Sequence, residues 1–134
     1  MKIDEVEGIG ASYAAKLASA GVSTTDALLE RGAKSSGRSS LEAATGISGT
    51  LILEWVNHAD LMRIKGVGSE YSDLLEAAGV DSPAELAQRN AANLAATFAE
   101  IVAARPSLVR RIPSEGEIAG WIASAKELPK LVEH

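Results

Sequence analysis

Apolar residues recur at helical spacing along the whole chain, and no segment sustains a period-two alternation. Ile3 and Val6 stand three apart ahead of Gly8-Ile9-Gly10. Tyr13, Ala14, Leu17 and Ala18 then share one face of a helix over 11–20, and Gly21 occupies the position that ends it. Thr24 or Thr25 caps a second helix carrying Ala27, Leu28 and Leu29, which Gly32 stops. The stretch 33–40 is polar and small, and it predicts a mobile loop. Ser39 or Ser40 then caps a short helix holding Leu41, Ala44 and Thr45, ending at Gly46. Ser48 caps a longer one with Leu51, Ile52, Trp55, Val56 and Ala59 on one stripe, after which Asp60 caps the approach to a second glycine turn.

The second half repeats the first. At a constant offset of 58 residues, Ile9 falls on Val67, Tyr13 on Tyr71, Leu17 on Leu75, Gly21 on Gly79, Val22 on Val80 and Leu28 on Leu86. Gly8-Ile9-Gly10 falls on Gly66-Val67-Gly68. Such agreement without a gap reads as an internal repeat. Ser82-Pro83-Ala84-Glu85 reads as a capping box with proline at the first helical position. Asn90 or Asn93 caps a helix with Leu94, Phe98, Ile101 and Val102 inward, and Pro106 breaks the pattern. Ser114 with Glu117 caps the last helix, which turns Ile118, Trp121, Ile122 and Ala125 inward. Here the offset has grown to 66, so the second unit carries additional residues around 103–111. The expected fold is all-α: one compact domain over 1–134, made of unit one (1–60), unit two (61–128) and a fraying tail (129–134), the units packing about a pseudo-twofold axis with additional helices.

Composition narrows the chemistry. Hydrophobic residues make up 46% of the chain, enough for a core, while aromatics make up only 4% and leave few rings for stacking bases. Without cysteine there is no disulfide, thiolate metal site or thiol nucleophile. The opening Met1-Lys2-Ile3-Asp4-Glu5 does not read as a signal peptide, and no stretch has the length of a membrane span. A cytoplasmic protein without membrane contact is the expectation. A net charge of −5 argues against a large nonspecific hold on nucleic acid.

The string Val6-Glu7-Gly8-Ile9-Gly10 followed by Tyr13-Ala14, Leu17 and Gly21 resembles the helix-hairpin-helix motif, and the second copy resembles it as well. Over nearly its full length the chain also resembles a bacterial domain-of-unknown-function family with duplicated hairpins of this type. The resemblance lies in Gly37-Arg38, Thr45-Gly46-Ile47, Trp55-Val56-Asn57, the run from Ala59 to Ile64, and Trp121. That family resemblance implies a compact helical fold and no established activity.

In helix-hairpin-helix proteins the amides of the glycine turn and the next helix start face a DNA phosphate, because bare donors and the positive helix end attract an anion. The resemblance carries this role to Gly8, Gly10, Ala11 and Ser12, and to Gly66, Gly68, Ser69 and Glu70, with Arg63 and Lys65 just before the second turn. DNA-binding versions often have a basic residue two places past the second glycine, where this chain has Ser12 and Glu70. The competing reading is that the turns only pack helices tightly. Arg31, Lys34 and Arg38, and likewise Arg105, Arg110 and Arg111, form basic groups that either grip phosphates or are solvated surface. Tyr13 and Tyr71 either reach a ligand or pack with a polar tip at the core edge, and Trp55 and Trp121 read as core anchors.

Enzyme readings find no support in spacing. His58 and Asp60 lack further metal ligands, and His58 reads as a surface imidazole. The glycine turns lack the third glycine of a dinucleotide fingerprint. The expected function is non-enzymatic, without cofactor or metal: weak, sequence-independent contact with a nucleic-acid backbone, or alternatively a protein-interaction or adaptor role.

Overall fold

The computed structural model describes Met1–His134. Eight α-helices follow a 3₁₀ turn at Ile3–Glu5: α1 Ala11–Ser19, α2 Thr25–Gly32, α3 Ser35–Thr45, α4 Gly49–Leu61, α5 Ser69–Ala77, α6 Pro83–Leu86, α7 Ala91–Ala104 and α8 Glu115–Glu127. There is no strand, and an isolated bridge pairs Lys2 with Thr24. None of the helices is long and apolar enough to cross a membrane. Contacts divide the chain into two units, Met1–Asp60 together with Leu131–His134, and Leu61–Lys130.

In the first unit α1 packs on the 3₁₀ turn and on α3, and α3 packs on α2. The predicted stripes supply its buried residues: Leu17, Leu28, Leu41, Ile52, Trp55 and Val56 are all nearly inaccessible. Thr24 caps α2 by accepting from Ala27 N at 3.1 Å. The predicted mobile loop over 33–40 is instead most of α3, which starts at Ser35 behind Lys34 rather than behind Ser39 or Ser40. Glycines mislead here because they serve packing. A β-carbon on Gly37 would lie 2.0 Å from the Arg31 carbonyl oxygen, and one on Gly32 would lie 2.4 Å from Val56 Cγ2. The two glycines let α2, α3 and α4 approach, at the modest helix-propensity cost of glycine.

The second unit packs α8 against α6 and α7, and α5 against α7. One apolar cluster joins Leu74, Leu75, Leu86, Leu94, Phe98 and Trp121 with their neighbours. Ser82 accepts from Glu85 N at 3.2 Å, with Pro83 in the first turn, although α6 lasts only four residues. Asn90 caps α7 through Asn93 N at 3.1 Å. Ser114 and Glu117 form the reciprocal capping box of α8, each side chain accepting at 3.1 Å from the other's amide.

The tail does not fray as expected. Val132 is 1% exposed, and Glu133 N donates to Ala33 O at 2.7 Å. A β-branched side chain and a paired main chain hold the segment where local sequence shows only a short end with Pro129 and no helical repeat.

Candidate functional site

The two glycine turns share one geometry. Gly8 and Gly66 take φ of +87° and +92°, a left-handed conformation that a side chain resists. Ile9 N donates to Val6 O at 3.1 Å, and Val67 N donates to Ile64 O at 3.0 Å. Ile9 and Val67 are buried and pin each turn from below. Gly10 and Gly68 are then the N-caps of α1 and α5, and as glycines they offer no side chain to the first-turn amides. Neither is sterically required. Their φ values of −80° and −98° suit any residue, and a β-carbon on either would meet nothing within 4 Å.

The charge around the turns is opposite in sign. At the 58-residue offset Glu5 and Glu7 are replaced by Arg63 and Lys65. Asp4, Glu5 and Glu7 line a shallow hollow with Gly8 and Gly10, and all three carboxylates are exposed. Of the predicted contact residues in the first unit, Gly8, Gly10, Ala11 and Ser12 are exposed but stand beside this acidic wall. In the second unit Lys65, Gly66 and Gly68 are exposed and Ser69 is half-buried. Arg63 is half-buried, and its Nη2 donates to Pro129 O at 3.1 Å, so part of its donor set serves the fold.

The additional residues of the second unit fold back onto α5. Glu70 accepts from Arg110 N through one oxygen, and its other oxygen lies 3.5 Å from Arg110 Nε. The Arg110 side chain is otherwise 95% exposed. Next to it, Tyr71 donates its hydroxyl to Arg111 O at 3.0 Å. Arg111 in turn binds Glu117 with two bonds of 2.7 and 2.8 Å. That fork, together with the Ser114 amide, holds the Glu117 carboxyl down at about 2, and the Arg111 pKa is raised by the same contact. The Glu70 carboxylate, standing where DNA-binding versions often have a basic residue, is thus partnered by an arginine brought from 40 residues away.

The tyrosines lean on the tryptophans at the edge of the core. Tyr13 meets Trp55 edge to face at 5.1 Å, and Tyr71 meets Trp121 tilted at the same distance. Trp55 and Trp121 are buried, as anchors should be. His58 is not the surface imidazole its polar neighbours suggested: it is 2% exposed within α4.

The first basic group is dispersed by its bonds. Arg31 Nη1 donates to Ala20 O at 2.9 Å, at the end of α1. Arg89, its counterpart 58 residues on, reaches the equivalent Ala78 O at 3.5 Å. The 58-residue offset alone pairs these two arginines in the sequence. Arg38 is buried and donates to the carbonyls of Gly32, Ala33 and Glu133. Arg105 ends α7, and Arg110 and Arg111 bind the carboxylates named above.

Fold and turns define an all-α protein of two helical units, each opening on a glycine turn that leads into a helix N-terminus. The chain belongs to the family described as Domain of unknown function (DUF4332), which matches residues 7–128. No curated protein and no solved structure matches the chain.

Proposed function

We propose that the protein is a non-enzymatic binding module that contacts a nucleic-acid backbone, weakly and without reading sequence, through its second glycine turn. The observation that carries this reading is Gly68. It is a glycine that neither backbone conformation nor packing demands, placed at the N-cap of α5, where it offers the first-turn amides no side-chain acceptor. An anion approaching there meets amide donors and the positive end of the helix. Lys65 is exposed on one side of the turn, and Arg110 is exposed beside Glu70 at the start of α5. The paired turns fit the helix-hairpin-helix reading, with only the second suited to phosphate.

Few cations take part, so the interaction is weak and its salt dependence shallow. Two or three phosphates give a slope of about −2 to −3 in log affinity against log salt. Titrating duplex, single-strand and junction DNA from low to moderate salt tests it. Binding that weakens with that slope, and weakens further in Gly68→Ala with stability retained, supports the reading. No binding at low salt by any of the three overturns it.

The acidic first turn favours a second reading, an adaptor that docks a protein. Asp4, Glu5 and Glu7 surround a hollow that repels phosphate and would attract a basic peptide. Binding of a lysine-rich peptide that is lost on Glu5→Gln with Glu7→Gln would favour it, and no loss would dismiss it.

A further inference from the structure

Leu131–His134 follows the second unit in sequence and belongs to the first by contact. Four residues are held densely. Val132 is buried. Glu133 donates its amide to Ala33 O and accepts from Arg38 Nη2 at its own carbonyl, both at 2.7 Å. The Glu133 carboxylate lies 3.4 Å from Ser35 N, and His134 Nε2 lies 2.8 Å from Asn57 Oδ1. Leu131 borders a hollow lined by Asp26, Leu29, Glu30 and Ala33.

The receiving side is built in advance. Arg38 also donates to Gly32 O at 2.8 Å and to Ala33 O at 3.2 Å. Its guanidinium is therefore fixed at the end of α2, where helix carbonyls lack partners. Ala33 O and Arg38 read the main chain of Glu133, while Ser35 N, Asn57 and an apolar hole read the side chains of Glu133, His134 and Val132.

We infer that this socket is an exchangeable docking site that takes residues 131–134 of a second copy of the chain, closing a reciprocal dimer. The bonding partners of the segment, Ala33, Ser35, Arg38 and Asn57, all belong to the first unit. The socket therefore does not distinguish its own segment from another copy's. The link is short: α8 ends at Glu127, Leu128 is already extended, and Pro129 prevents the helix from continuing. Arg63 Nη2 holds Pro129 O, so the hinge is confined to the few bonds after Pro129, and rotation there is the economical route to exchange. The tether favours the closed monomer when dilute, with an effective concentration of about millimolar for a short link, and exchange rises as protein concentration approaches it.

The test mixes isotope-labelled and unlabelled full-length chain at roughly that concentration and, without dilution, reads isotope-filtered NMR contacts between a labelled and an unlabelled copy. A mixed dimer is expected. It should be lost in Val132→Asp and fall on the order of tenfold with excess synthetic peptide of residues 128–134. Absence of a mixed dimer overturns the inference, as does a mixed dimer that the peptide leaves unchanged. If Val132→Asp unfolds, peptide competition on the natural chain decides alone.

Discussion

The indole nitrogen of Trp121 lies beneath Gly66, 3.0 Å from where a β-carbon on that glycine would stand. Trp55 holds the same relation to Gly8 at a looser 3.7 Å. Each turn rests on the tryptophan of the last helix in its own unit, so turn and core are mechanically one piece.

Gly8→Ala is expected to cost about 1–2 kcal/mol for its left-handed backbone alone. Gly66→Ala adds a contact that Trp121 must yield to, raising the loss by roughly 1 kcal/mol or more. Gly68→Ala, with ordinary φ and open space, loses only the N-cap preference for glycine over alanine, about 0.5–1 kcal/mol. Urea denaturation of the three variants checks the order, and equal losses would contradict it.

Glu70 yields a test of sign. If its carboxylate mounts Arg110 at the start of α5, Glu70→Ala weakens DNA binding, and Arg110→Ala weakens it by a similar few-fold factor with about one unit less salt slope. If Glu70 only repels phosphate, Glu70→Ala tightens binding. The double variant should show non-additivity in the first case.

The Arg111–Glu117 fork gives acid stability a specific source. The folded Glu117 carboxyl sits at about 2, below its ordinary 4.5, so its contribution is complete above 4.5 and disappears as pH falls toward 2. Glu117→Gln should flatten the loss of thermal stability across that interval. An unchanged profile would show that the fork does not persist in solution.

Gly37→Ala should be severe. Its β-carbon would enter the Arg31 carbonyl at 2.0 Å, and backbone cannot rotate away as a side chain can. The expected loss reaches or exceeds the upper end of the about 1–3 kcal/mol typical of overpacking. Circular dichroism melts compare it with Gly120→Ala, where a β-carbon meets nothing within 4 Å and helix propensity predicts a slight gain.

The sequence by itself determined the helical class, the start of α8, the starts of α2 and α7 to within a few residues, the buried stripes and both glycine turns. Helix caps and apolar spacing act within a few residues, so Ser114 announces itself, while Thr24 is separated from Thr25, and Asn90 from Asn93, only by the structure. Tertiary structure alone decided what Gly37, Arg38, Arg110 and Val132 do. Gly37 looks like a breaker until the Arg31 carbonyl is placed against it. Arg38 looks like a loop cation until Glu133 arrives from 95 residues away, and Glu70 looks like a bare acid until Arg110 folds back. Those roles depend on distances between residues remote in the chain, and such distances are set by the packing of whole helices rather than by any local run of residues.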